Sequence, residues 1–170
     1  MKEYLIVDGY NIIGAWPELQ KLKDIQLEEA RDRLIDMMKE YQAFSGKTVI
    51  VVFDAHSVPG IGGKYQEGPL RVYYTKEKET ADELIERLVS QLISRRTQIY
   101  VATSDMMEQH VIFGQGALRL PARELLTKWK TSQQELKNRL DESIALRRNP
   151  LVGKISDEQY RQLERWRRGK

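Results

Sequence analysis

The strongest constraint on the fold is a run of branched and aromatic residues, TVIVVF, from Thr48 to Phe53, with five apolar residues in a row after the threonine. A strand with one exposed face alternates apolar and polar residues, whereas this run has no polar face. It therefore predicts a central strand of a parallel sheet, covered by helices on both faces.

Shorter runs of the same kind recur along the chain and alternate with helical patterns. The other predicted strands are Tyr4–Val7, Leu70–Tyr74, Gln98–Ala102 and a weaker Ala117–Leu120. Apolar residues spaced by three and four positions predict one helix that ends before Gly46 and another that ends near Arg95. Strands that alternate with helices predict an α/β fold, a parallel sheet flanked by helices.

Beyond Pro121 the strand patterns cease, and the chain becomes helical and basic. Residues 119–170 hold 14 Lys and Arg against 7 Asp and Glu, a net charge of +7, which leaves −4 for residues 1–118. The helical patterns cover Ala122–Trp129, a stretch capped by Ser132 with Glu135, and a last stretch capped by Ser156 with Gln159. We predict a domain over residues 1–130 and a basic helical extension over residues 131–170 in the same compact unit. Such an extension is typical of a surface that binds a polyanion, and equally of a solvated helical face.

Acidic residues stand at the ends of three predicted strands. They are Asp8 in YLIVDGYN, Asp54 in VVFDAH and Asp105 in VATSD. Because the carboxyl ends of parallel strands form the ligand-binding edge of an open sheet, we expect these carboxylates in one crevice. Asp82, in ETADELIE, is predicted to join them from the first turn of a helix that Thr80 caps.

Clustered carboxylates repel one another unless a cation neutralises them. The chain has no cysteine and only two histidines, so an oxygen-only site for Mg²⁺ or Mn²⁺ is favoured over a zinc site. Such a site can activate water for phosphodiester hydrolysis. A single Asp after a strand is more often a helix cap or turn residue, so the interpretation depends on convergence. The predicted catalytic residues are Asp8, Asp82, Asp54, Asp105 and Asn11, and the predicted metal ligands among them are Asp8, Asp82 and Asp105. Asn11 and Ser104 are expected to position a water or to hydrogen-bond the metal ligands.

The same segments resemble the motif blocks of the NYN group of PIN-like ribonucleases, and most closely of its YacP branch. The matching stretches, in order, are YLIVDGYNII, VVFDAH, ETADELIE, VATSD and GALRLPARELL, and the resemblance covers essentially the whole chain. It implies a PIN-like fold and a metal-dependent endoribonuclease activity, with Asp8 and Asp82 as the essential carboxylates. It also implies that the substrate is mRNA, cleaved in the A site of the ribosome.

A metal site cleaves any accessible RNA backbone, so specificity is expected to come from surfaces that deliver the substrate. The predicted RNA- or ribosome-binding residues are Lys64, Tyr65 and Arg71, in or after a Gly/Pro-rich loop over His56–Pro69, and Arg161, Arg165 and Arg168 in the basic extension. No apolar run reaches the length of a membrane span and no signal-like segment begins the chain, so we expect a cytoplasmic protein. We also expect a monomer, and the resemblance implies that its partners are mRNA and the ribosome.

Two other functions are compatible with acids at strand ends. A receiver-like domain would be phosphorylated on an Asp. Such pockets usually have a second acid beside the first, where Gly9 stands, and a lysine after the fifth strand, where Leu120–Pro121 stand. A non-catalytic RNA- or ribosome-binding module would keep the fold without the chemistry, and the presence of all four carboxylates argues against it.

Overall fold

The structure, a computed structural model, describes residues 1–55, 63–76, 78–104, 115–148, 161–162 and 165–167. Within these ranges a sheet of six strands has the order β3-β4-β2-β1-β5-β6. The strands are β1 Lys2–Asp8, β2 Thr48–Phe53, β3 Gly63–Glu67, β4 Leu70–Tyr74, β5 Thr97–Ala102 and β6 Leu118–Leu120. All neighbouring strands are parallel except β3, which pairs antiparallel with β4. The predicted α/β class, with a parallel sheet between helices, is confirmed.

Helices cover both faces of the sheet. The described helices are α1 Gly9–Ala15, α2 Pro17–Ile25, α3 Leu27–Ser45, α4 Ala81–Leu92 and α5 Ala122–Arg148. Residues of α1, α2, α3 and the start of α5 form one buried apolar layer, and residues of α4 form the other. The central strand β2 is buried from Val49 to Phe53, as its continuous apolar run predicts. The helices α1 and α2 were not predicted.

The segment predicted as a loop over His56–Pro69 differs from that expectation. Residues 63–67 form β3, an edge strand joined to β4 by a two-residue turn at Gly68 and Pro69. Gly68 has φ 62°, a conformation that glycine adopts without steric cost and that tight hairpins require. Residues 56–62 lie outside the described residues.

The predicted break between two helices at Ser132 is wrong, because α5 continues through it. Ser132 is buried, and its hydroxyl donates a hydrogen bond to the carbonyl oxygen of Trp129 at 2.6 Å. The side chain is therefore bonded within the helix instead of capping a new one. Trp129 is buried in the apolar core. The predicted cap at Ser156 lies outside the described residues.

The chain forms two compact units, Met1–Ser132 and Gln133–Lys170. The first contains the sheet and both apolar layers. The second contains the rest of α5 and the helical residues 161–162 and 165–167. None of the described helices is both long and apolar enough to cross a membrane. The expected attachment of the extension to the domain as one body stays a prediction.

Candidate active site

Asp8 ends the central strand β1, and 7% of its surface is exposed. Alternate residues of a strand face opposite sides of the sheet: Val7 packs in the layer of α1, α2 and α3, whereas Ile6 packs in the layer of α4. Asp8 therefore points to the α4 side. Thr103, directly after β5, donates its hydroxyl hydrogen to Oδ2 of Asp8 at 3.4 Å. Among the residues whose burial the structure describes, Asp8 is the one charged residue that is buried.

The place of Asp8 in the sheet is the point where strand order reverses. Counted along the chain, the parallel strands have the order 3-2-1-4-5, so that β1 has β2 on one side and β5 on the other. In open parallel sheets ligands bind at the carboxyl ends of the strands at such a switch point. The bond between Thr103 and Asp8 crosses this point.

Asp82 lies in the first turn of α4. The side-chain oxygen of Thr80 caps the helix by accepting a hydrogen bond from the backbone N–H of Glu83 at 3.2 Å. Asp82 is exposed and precedes the buried Ile85 by one turn, so it borders the buried stripe of the helix. A carboxylate in the first turn also stabilises the helix, because it interacts favourably with the helix dipole.

The start of α4 lies near the carboxyl end of β1. The strand β4 runs parallel to β2 and ends at Tyr74, and α4 begins at the same edge after six intervening residues. Ala81, the first residue of α4, belongs to the same buried cluster as Val52. Val52 is in turn the partner of Asp8 in the register of β1 and β2. Asp82 therefore belongs to the helix end that lies over the face to which Asp8 points.

Asp54 directly follows β2 and is half-buried. The chain around it is tied to the end of β4 by two hydrogen bonds. The backbone N–H of Ala55 donates to the hydroxyl of Thr75 at 2.8 Å, and the backbone N–H of Thr75 donates to the carbonyl of Phe53 at 3.0 Å. These bonds hold the residues on either side of Asp54 at the carboxyl edge.

Asn11 joins α1 to the segment after β5. Its Oδ1 accepts hydrogen bonds from the backbone N–H of Ser104, at 2.6 Å, and from the Ser104 hydroxyl. The contact spans the same switch point as the bond between Asp8 and Thr103. Asn11 thus positions Ser104, the residue that follows Thr103. Its predicted role in catalysis stays a prediction.

Gly9 is a positioning residue that sequence reasoning missed. The helix α1 begins directly after Asp8, and a Cβ built at Gly9 would lie 2.3 Å from Cε1 of Phe53 and 3.0 Å from the carbonyl oxygen of Val52. Only glycine allows α1 to approach β2 so closely, and this approach sets the direction in which the chain leaves Asp8. The available signal was a glycine directly after an acid that ends a strand.

The structure brings some of the predicted residues together and leaves others undescribed. Asp105 lies outside the described residues. Within the described ranges, no three His, Asp or Glu side chains are grouped closely enough to hold a metal ion. Because Mg²⁺ usually keeps several waters and takes one or two protein carboxylates together with substrate phosphates, an oxygen donor such as Asp8 fits this ion. The metal-ligand assignments stay predictions.

The predicted RNA-binding residues fall in two places. Lys64 and Tyr65 lie on β3, and Arg71 lies on β4, where it is half-buried. Arg161 and Arg165 belong to the second unit and are exposed. Arg168 lies outside the described residues. Contact of these residues with RNA or the ribosome stays a prediction.

Comparison with known proteins gives matches over almost the whole chain. Residues 5–168 match the family described as the YacP-like NYN domain. YacP of Bacillus subtilis (strain 168) is 50% identical over 169 residues, which cover 98% of each chain. The crystal structure of Rae1 (YacP) from Bacillus subtilis matches with a TM-score of 0.76 at 49% identity, over 98% of this chain and 95% of that one. A mutant of that protein matches with a TM-score of 0.76 at 50% identity, over 85% of each chain.

Proposed function

Because the chain belongs to the family of YacP-like NYN domains, we propose that it is a divalent-metal-dependent endoribonuclease that cleaves mRNA in association with the ribosome. The observation that carries the proposal is the position of Asp8. This buried carboxylate ends the central strand at the switch point and points to the side on which α4 begins. A buried carboxylate is costly unless hydrogen bonds or a cation compensate its charge, so this position suits a metal ligand.

The chain's own residues have separable tasks in this proposal. Asp8 and Asp82, with Asp105, would supply the oxygen ligands of the ion. Mg²⁺ or Mn²⁺, when bound, supplies a water of lowered pKa and stabilises the charge that develops on the phosphate. Thr103 orients Asp8 by donating a hydrogen bond to its Oδ2. Asn11 holds the chain after β5 against α1.

Delivery of the substrate is assigned to surfaces outside the metal site. Residues 119–170 carry a net charge of +7, and Arg161 and Arg165 are exposed there. Trp166, between basic residues, is 82% exposed. Arginine binds phosphate without regard to sequence, and an exposed indole can stack on an unpaired base. We propose that this segment attaches the enzyme to ribosomal RNA or to the bound mRNA.

The first experiment tests the chemistry. Asp8→Asn and Asp82→Asn should each lower the rate of mRNA cleavage at saturating Mg²⁺ by about a hundredfold or more, because each removes an anionic ligand but keeps the side-chain shape. Glu83→Gln is the matched control for Asp82, since it removes one charge from the neighbouring position of the same turn. Asp24→Asn, at an exposed position of α2, is the control for Asp8. Circular dichroism checks the fold of each variant.

The second experiment separates the enzyme from a non-catalytic binding module. Cleavage is followed with free mRNA and with ribosome-bound mRNA, in Mg²⁺, in Mn²⁺ and in EDTA. We expect metal-dependent cleavage that is faster on the ribosome-bound mRNA, and co-sedimentation of the Asp8→Asn protein with ribosomes. Ribosome binding by the wild-type protein without cleavage of either substrate in any metal would show that the chain is a binding module.

A further inference from the structure

A row of aromatic side chains lies at the carboxyl edge of the sheet, on the face opposite α4. Tyr10, two residues after Asp8, packs its ring against Phe53, with the ring centroids 5.1 Å apart. Phe53 in turn packs against Tyr74 with the centroids 5.6 Å apart. Phe53 is fully buried, whereas the two tyrosines are half-buried. Because its ring rests on a buried side chain, Tyr10 is held in place close to the candidate active site.

Arg31 reaches this row from α3. Its Nη1 donates a hydrogen bond to the hydroxyl of Tyr10 at 3.2 Å. The helix α3 ends at Ser45, shortly before β2 begins at the amino edge of the sheet, so its first turns lie toward the carboxyl edge. The direction of the helix and the bond to Tyr10 both place Arg31 at the same edge as Asp8.

Among the residues that the structure describes, no carboxylate balances the charge of Arg31. Within the described ranges Arg31 makes no ion pair, and its hydrogen bond goes to a neutral phenol. Arg33, two positions later on the same helix, pairs with Glu18 at 3.1 Å. Arg31 is also half-buried. A guanidinium that is partly removed from water and lacks a counter-ion favours the binding of an anion.

We propose that Arg31 binds a phosphodiester that flanks the cleaved phosphodiester in the same RNA strand. This subsite lies on the side of the sheet edge that α1 and α3 cover. Arginine has five N–H donors in a planar fork, so the bond to Tyr10 leaves donors for two phosphate oxygens. Tyr10 is the positioning residue, since it fixes one arm of the fork. The RNA strand would cross the sheet edge from Asp8 to Arg31. The inference rests on the proposed function and adds a substrate subsite to it.

The test measures binding without cleavage. Fluorescence anisotropy with a short labelled single-stranded RNA, in EDTA, gives Kd at several salt concentrations for the wild type, Arg31→Met and Arg31→Lys. Arg31→Met should weaken binding about tenfold at low salt, and the slope of log K against log salt should fall by about 0.7, the value for one phosphate contact on a single strand. Arg31→Lys should keep most of that slope because it keeps the charge.

Arg33→Met is the matched control, because it removes an arginine from the same helix that already has Glu18 as its partner. Its Kd should stay within about twofold of the wild-type value. Tyr10→Phe keeps the ring on Phe53 but removes the hydroxyl, so it should weaken binding less than Arg31→Met does and leave the salt slope unchanged.

The same measurements identify failure. If Arg31→Met lowers the melting temperature but leaves Kd and the salt slope at wild-type values, the bond to Tyr10 only ties α3 to α1 and the inference is overturned. Equal binding by Arg31→Met and Arg33→Met overturns it as well. A selective loss of affinity in Arg31→Met supports the subsite even if the wild-type protein cuts no RNA, a result that would refute the proposed function alone.

Discussion

The substitution Gly9→Ala tests how the chain positions Asp8. The added Cβ would lie 2.3 Å from Cε1 and 2.5 Å from Cδ1 of Phe53, and 3.0 Å from a backbone oxygen. The ring cannot turn away freely, because it is fully buried and packs against Tyr10 and Tyr74. Overpacking of this kind costs about 1–3 kcal/mol. We expect the free energy of unfolding to fall by about 2 kcal/mol, which lowers the melting temperature by roughly 4–8 °C at this chain length.

Gly14→Ala is the matched control on the same helix. A Cβ there meets nothing within 4 Å, so alanine should stabilise the chain by up to about 1 kcal/mol through its helix propensity and the lower entropy of the unfolded state. Urea denaturation of both variants gives the difference directly. Equal stability of the two alanine variants would refute the clash at Gly9.

A double-mutant cycle identifies the cause of the loss. Phe53→Leu removes the ring atoms that the new Cβ would meet, so Gly9→Ala should cost less in that background, with a coupling energy of about 1 kcal/mol or more. Since Gly9 follows Asp8 directly, Gly9→Ala should also slow RNA cleavage. Additive effects in the cycle would mean that the ring of Phe53 is not what excludes a side chain.

Three further predictions concern stability, pH and delivery. Trp16→Phe removes the buried N–H that donates to the carbonyl of Ala122 at 2.8 Å. Urea denaturation should show that the free energy of unfolding falls by about 2–4 kcal/mol, and a fall of less than about 0.5 kcal/mol would contradict this prediction. Burial raises the pKa of Tyr41 above its ordinary value of 10.0, so the phenol ionises first in the unfolded chain as pH rises. The stabilisation is therefore present below about pH 10 and is lost as pH rises above it. Between about pH 8 and pH 10.5 the free energy of unfolding should fall less for Tyr41→Phe than for the wild type. Arg161→Glu combined with Arg165→Glu should weaken co-sedimentation with ribosomes but leave cleavage of short free RNA near the wild-type rate, and unchanged sedimentation would show that these arginines are a solvated face.

The buried strands were predictable because burial itself leaves a pattern in the sequence. The run TVIVVF has no polar face, and it is β2, buried on both sides. The edge strand β3 left no such pattern, since KYQ contains no alternation of apolar residues. The short helices α1 and α2 were missed because seven and nine residues offer too few turns for a reliable period.

Contacts between distant residues could not be predicted in the same way. The bond between Tyr10 and Arg31 and the close approach of Gly9 to Phe53 depend on where α3 and α1 cross the sheet. No local pattern distinguishes Arg31 from Arg33, although Arg33 pairs with Glu18 and Arg31 does not.

The relation of Asp8 to α4 follows from strand order and handedness. From β1 to β2 the chain moves across the sheet in one direction, and from β4 to β5 it moves in the other. Since connections between parallel strands are right-handed, two crossings in opposite directions place their helices on opposite faces, as α3 and α4 are. Asp8 shares its face with Tyr4 and Ile6, a parity readable from the sequence. The helix that covers that face is known only once β5 is placed beside β1. This placement brings Thr103 into hydrogen-bond contact with Asp8 and puts α4 on the face to which Asp8 points.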